Sequence, residues 1–227
     1  MDYICKKPYA VLFDLDGLML DTERVWLEGI LRIAAGAGWQ LDRELVKKTI
    51  GINCRSAALI MKEAFGADFP YWELREKFLA EEKIEFETNG IPQKRGLINL
   101  LNTLDAKKIP AAIATSTDRA RAEWKLHFGG LEGRYDALVC GDEIEHGKPA
   151  PDIFELAAKK LGQKPQNCIG LEDSPAGLRA LAAAGIRSIF IKDLVEPEPE
   201  VLALVWKRCD SLDEAAAFFR ESLCASD

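Results

Sequence analysis

The sequence predicts an α/β protein: a doubly wound parallel-sheet core with a small all-helical cap inserted after its first strand. Three observations carry this. Short, almost wholly apolar runs recur along the chain and alternate with helical patterns. Such runs suit strands buried on both faces and joined by right-handed helical crossovers. Four of the runs pass at once into short polar segments. Residues 21–90, directly after the first run, hold helical patterns only, and that stretch is too long for an ordinary connection.

The first apolar run is residues 9–13 (YAVLF), followed by DLDG. Runs 110–114 (PAAIA), 137–140 (ALVC) and 168–171 (CIGL) lead into TSTD, GDE and EDS, and a fifth, 186–191 (IRSIFI), leads into KD. Helical patterns lie between them at 96–104, 119–128, 152–161 and 176–184, with Gly162 and Gly185 where C-caps belong. In the insert, helices are expected over 23–38, 43–51, 55–66 and 71–88. No strand or helix is assigned beyond residue 191, where EPEPE (196–200) reads as an acidic turn. Ligands of open α/β sheets bind at the carboxyl edge of the strands. Polar residues distant in sequence therefore converge on one crevice, under a cap over the same edge. The division expected is a Rossmann-like core of residues 1–20 and 91–227 and a helical cap of residues 21–90.

Composition bounds the function. A chain of 227 residues, 48% hydrophobic and 30% charged, buries a sizeable core without disulfides. A net charge of −7 with no basic stripe argues against a nucleic-acid partner. Six cysteines (Cys5, Cys54, Cys140, Cys168, Cys209, Cys224) stand singly with no CxxC pair, as reduced structural thiols do. The N-terminal apolar run is short and ends in acids, unlike a signal peptide or membrane span. A cytoplasmic protein with no membrane partner, monomeric or weakly dimeric, is expected.

Asp14 and Asp16 stand two apart at a strand end, and Gly17 permits a sharp turn after them. A lone DxD is more often a cap or turn. Here a second acidic pair, Glu172 and Asp173, ends another strand, and carboxylates so close repel unless a cation shares the site. Hard oxygen ligands of this kind suit Mg²⁺. Thr115 and Ser116 offer hydroxyl and backbone N–H groups before a helix, and Lys148 can neutralise phosphoryl charge.

Four segments in order, DLDGLMLDT from Asp14, ATST from Ala114, GKPAPD from Gly147 and GLEDSPAG from Gly170, resemble the four motifs of the haloacid dehalogenase-like superfamily. The resemblance spans roughly residues 11–191. It implies a phosphotransferase with Asp14 as nucleophile, forming an aspartyl-phosphate, and Asp16 as acid and then base. It also implies Thr115 and the Ser116 backbone as phosphoryl binders and Lys148 as charge stabiliser. Mg²⁺ would be held by Asp14, the Asp16 carbonyl and Asp173, with Glu172 in or next to the first shell.

The helical insert resembles the cap of the subgroup holding β-phosphoglucomutase and sugar-phosphate phosphatases. The mutase pattern has a histidine at the start of the cap where this chain has Trp26. Its only histidines, His127 and His146, lie outside the cap. The resemblance therefore favours a phosphatase for a small phosphorylated metabolite, such as a sugar phosphate, over a phosphosugar mutase. A dehalogenase does not suit the Glu172–Asp173 pair and Asp16, and a non-catalytic relative would have lost one of Asp14, Asp16, Lys148 or Asp173. In the cap, Arg55 is the candidate for gripping the substrate, with Glu23, Trp26 and Lys62 as further candidates.

Overall fold

The computed structural model describes residues 10–52 and 54–222; Cys5, Tyr9 and Cys224 lie outside them. The first strand, β1 (Ala10–Phe13), is buried along its whole length. Its side chains alternate between two layers, as the period of two requires. Val11 and Phe13 join one core cluster, Ala10 and Leu12 the other. After it come α1 (Thr22–Gly36), α2 (Arg43–Lys47), α3 (Cys54–Phe65) and α4 (Tyr71–Asn89), with no strand among them. The chain then alternates: α5 (Leu97–Ala106), β2 (Ala111–Ala114), α6 (Arg119–Phe128), β3 (Ala137–Val139), α7 (Asp152–Lys160), β4 (Cys168–Glu172), α8 (Pro175–Ala183) and β5 (Arg187–Ile191). It ends with α9 (Pro199–Leu202), β6 (Lys207–Cys209) and α10 (Leu212–Ser222).

Among the described residues the six strands are all parallel, in the order β3-β2-β1-β4-β5-β6. The order reverses at β1, which pairs Val11 with Ala111 of β2 on one side and with Ile169 of β4 on the other. Where strand order reverses, the connections part to opposite faces and leave a crevice at the carboxyl ends. One layer buries Leu100 and Leu104 of α5 with Ala215 and Phe219 of α10, the other Phe154 and Ala157 of α7 with Leu181 of α8.

The helices α1 to α4 have an apolar core of their own, built on Leu27, Ile30, Val46, Met61, Leu74 and Phe78. The start of α2 is capped by the Asp42 carboxylate, which accepts from the Leu45 N–H at 2.9 Å. That helix stops at Lys47, earlier than expected, and a turn carries the chain to Gly51 at φ +73°. The chain enters and leaves this unit by two paired segments. Asp21 N–H donates to the Pro92 carbonyl at 2.8 Å and Lys94 N–H to that of Met19 at 2.9 Å. The Lys94 ammonium also sits 3.3 Å from Asp21 and 2.6 Å from Asp193.

The sixth strand and its helix escaped the sequence reading. β6 reads KRC and carries two charged residues at the sheet edge, so the search for apolar runs passes over it. Among the described residues no helix is long and apolar enough to cross a membrane.

Candidate active site

Each strand end beside the reversal delivers one part of the site. Asp14 follows β1 and is 8% exposed; its N–H donates to Leu171 O at 3.2 Å, fixing it against β4. Thr115 follows β2 and is buried; its hydroxyl accepts from Thr117 N–H at 3.1 Å and keeps its own proton to give. Ser116 is exposed beside it, just before α6, whose N-cap is Asp118. Glu172 ends β4 and Asp173 follows it, both buried. Gly17 lets the chain turn back over Asp173. At φ +87° it adopts a conformation only glycine takes freely, and a Cβ there would lie 2.4 Å from Asp173 Oδ2.

Lys148 joins these carboxylates. Its ammonium donates to Asp14 Oδ1 and, at 2.6 Å, to Glu172 Oε1, while lying 4.9 Å over the Phe154 ring. Burial pushes the lysine's pKa down, but Asp14 and Glu172 outweigh it and the net shift is upward. It is a permanent cation. Asp14 is raised to about 7, chiefly by burial; Glu172 and Asp16 add repulsion, and Lys148 offsets only part of it. Asp173 is raised well above the carboxylate range by burial and by the charges of Glu172 and Asp14.

Asp16 behaves in the opposite way. Burial alone would raise it, but the Lys125 ammonium and the hydroxyls of Thr22 and Thr117 hold it at about 2. Thr22 donates to Oδ1 at 2.6 Å, Thr117 to Oδ2 at 2.8 Å, and Lys125 to Oδ1. Asp14 and Asp16, two residues apart, are thus pushed to opposite sides of the ordinary carboxylate range.

These groups open into a cavity of about 310 Å³ between the sheet edge and α1 to α4. The helical side supplies Glu23, Trp26, Tyr71, Arg75, Phe78 and Glu82. Glu23 is raised to about 8 by burial and by Asp16, and the Trp26 ring packs edge-on against Phe78 at 4.9 Å. Glu82 of α4 pairs with Arg121 of α6 across the cavity wall. Arg55 does not take the place expected for it. It is exposed on α3 and not among the lining residues, and Lys62 is also outside them. The α3 helix turns its buried face, Ala57 and Met61, inward instead. Arg75, Arg121 and Lys125 are the cavity cations that the sequence reading missed. Lys125 left a legible trace, because it shares the buried face of α6 with Ala122 and Leu126, where a solvated lysine does not belong.

The residues present fit a divalent cation. Asp14, Glu172 and Asp173 are three buried carboxylates, the Lys148 ammonium pairs with the first two, and Asp173 Oδ1 is buried without a hydrogen-bond partner. Among the described residues no three His, Cys, Asp or Glu side chains are grouped to hold a metal by themselves. Mg²⁺ needs no such cage, since it binds through one or two carboxylates and keeps waters and substrate oxygens. Both oxygens of Glu172, expected in or next to the first shell, already have partners. Oε1 takes Lys148, and Oε2 accepts from Asp173 N–H and Ser174 N–H at 2.9 Å and from the Ser174 hydroxyl at 3.0 Å. The Asp16 carboxylate is likewise filled, which leaves that residue its carbonyl. Because Asp14 stands near 7, a cation bound there must displace a proton at lower pH. Mg²⁺ is expected to raise the melting temperature more at pH 8 than at pH 6, and Asp14→Asn to flatten that difference; thermal scans at matched Mg²⁺ check both.

The haloacid dehalogenase-like hydrolase family matches residues 9–185. A phosphorylated carbohydrates phosphatase of Thermotoga maritima is 31% identical over 181 residues, 80% of this chain and 83% of that protein. The fructose-1-phosphate phosphatase YqaB of Escherichia coli is 30% identical over 185 residues, 81% of this chain and 96% of that protein. The crystal structure of a HAD family hydrolase from Deinococcus radiodurans R1, with bound phosphate and sodium, superposes with a TM-score of 0.78 at 26% identity, covering 96% of this chain and 97% of that one. With the family matched over most of its length and its acids and lysine gathered at one sheet edge, the chain belongs to the haloacid dehalogenase-like hydrolases, among their phosphatases.

Proposed function

We propose that the chain releases inorganic phosphate from a small phosphorylated metabolite, a sugar phosphate or close analogue, through an aspartyl-phosphate on Asp14. The observation that carries this reading is that Asp14, Lys148, Thr115 and Asp173 line one cavity, with Lys148 bonded to Asp14. Residues 21–90 serve as the cap that shapes the space around the rest of the substrate.

In the first step an Asp14 oxygen attacks phosphorus in line with the leaving oxygen. Thr115 and the Ser116 backbone orient the phosphoryl oxygens, Lys148 balances charge on them and on Asp14, and Asp16 gives the leaving oxygen its proton. In the second step water attacks the same phosphorus, Asp16 takes the water's proton, and Asp14 is regenerated. Asp14, Asp173 and the Asp16 carbonyl would hold Mg²⁺, which when bound neutralises charge on the phosphoryl oxygens.

Water is favoured as acceptor over a second sugar because no histidine lines the cavity among the described residues. His127 sits exposed against Glu132 at 3.0 Å and His146 against Asp152 at 3.2 Å. Phosphorylated metabolites are to be screened for phosphate release with Mg²⁺ and with EDTA. Release from at least one sugar phosphate that EDTA abolishes is the expected result. Conversion of β-glucose 1-phosphate to glucose 6-phosphate with a bisphosphate primer, without free phosphate, would sink the phosphatase reading.

A further inference from the structure

Lys125 is an unusual lysine. Its side chain is 8% exposed, it lies on the buried face of α6 between Ala122 and Leu126, and its ammonium is spent on Asp16 Oδ1. Burying an ammonium for one carboxylate is at best a poor source of stability. A methionine of similar length would pack against the same neighbours without losing hydration. The residue is better explained by what it touches. Oδ1 of Asp16 is held by Lys125 and Thr22, and Oδ2 by Thr117. Two of these three donors, Lys125 and Thr117, come from the sheet core, and Thr22 opens the helical insert. The carboxylate plane is therefore set chiefly by the core and faces the same cavity as Asp14.

We propose that Lys125 is a positioning residue: it holds the Asp16 carboxylate in the orientation from which protons pass to and from the reacting oxygens. With its ammonium bonded to the Asp16 carboxylate, Lys125 acts through Asp16. The inference rests on the reading of Asp16 as the acid and base.

A pair of substrates of similar shape separates this role from phosphate binding. The nitrophenolate of p-nitrophenyl phosphate leaves without a proton, whereas the alkoxide of benzyl phosphate needs one. On kcat/KM, which reports the first phosphoryl transfer, Lys125→Met should lose about 10- to 100-fold on benzyl phosphate, part of the ~10²–10⁴ that general acid help contributes. On p-nitrophenyl phosphate it should lose under about threefold. The ratio of the two is read within one variant, so partial unfolding cancels from it. Lys125→Arg, which keeps a donor and a charge, should recover part of the benzyl rate. Equal losses on both substrates, no loss, or a gain on benzyl phosphate would each overturn the proposal. Asp16→Asn tells its failure from that of the underlying reading. If that variant discriminates between the two substrates and Lys125→Met does not, only the role of Lys125 falls. If Asp16→Asn does not discriminate either, Asp16 is not the acid.

Discussion

Asp14→Asn is expected to lower phosphate release by on the order of 10⁴-fold or more while leaving the protein folded. The size follows from the chemistry. An amide oxygen is a feeble nucleophile, and the carboxylates of Asp16 and Glu172 are already engaged. Asp16 is filled by Lys125, Thr22 and Thr117, and Glu172 by Lys148, Ser174 and backbone N–H groups. The fold should survive because Lys148 keeps Glu172 as a partner at 2.6 Å, and because a buried carboxyl raised to about 7 is a charge the protein holds at a cost. Phosphate release, the melting temperature and a phosphate adduct on the acid-quenched protein by mass spectrometry check this. Undiminished turnover, or an adduct retained by the variant, would remove Asp14 from the role of nucleophile.

Lys148→Met is expected to damage both function and stability. Its side chain is 3% exposed and bridges two carboxylates, one of them wholly buried. Removing one partner of a buried ion pair costs about 3–5 kcal/mol, because the other charge is left uncompensated. In a chain of this size that is a fall of about 10 °C in melting temperature. Turnover should drop at least ~10²-fold, as when one preorganised charge-stabilising group is deleted. The pH dependence fixes the cause. Without Lys148 the folded pKa of Asp14, already raised to about 7 beside the lysine, stands further above its unfolded value. The folded state then binds protons that the unfolded state releases, and stability falls as pH rises from the ordinary carboxylate range through 7 and beyond. The deficit against wild type should thus be smaller at pH 5 than at pH 8. A deficit independent of pH would mean that lost packing on Phe154, not lost charge, is responsible.

The core of the site was legible because strand periodicity carries it. YAVLF, PAAIA and CIGL are apolar throughout and end abruptly in Asp, Thr or Glu, so the residues at their ends share a sheet edge wherever the helices run. The cap wall was not legible in that way. On α4, Arg75 and Glu82 stand two helical turns apart among Glu, Lys and Arg residues, and nothing local separates a charge facing a cavity from one facing water. Arg55 was chosen from its neighbourhood in the chain, and the roll of α3 about its own axis placed it outside. β6 was lost for the reverse reason, since an edge strand needs backbone pairing more than apolar side chains.

The chain by itself determined the parallel sheet, the helical insert after β1, and the sharing of one sheet edge by Asp14, Thr115 and Asp173, because burial pattern and strand ends are local properties of sequence; Lys148, in a loop, was found through its motif. Only the tertiary structure decided what state those groups are in. Asp14 is driven up by burial and Asp16 down by Lys125, a residue 109 positions away in the chain. Glu172 is engaged by Lys148 and by the backbone at the start of α8. Charge balance depends on distances among side chains from several elements, and packing alone sets those distances.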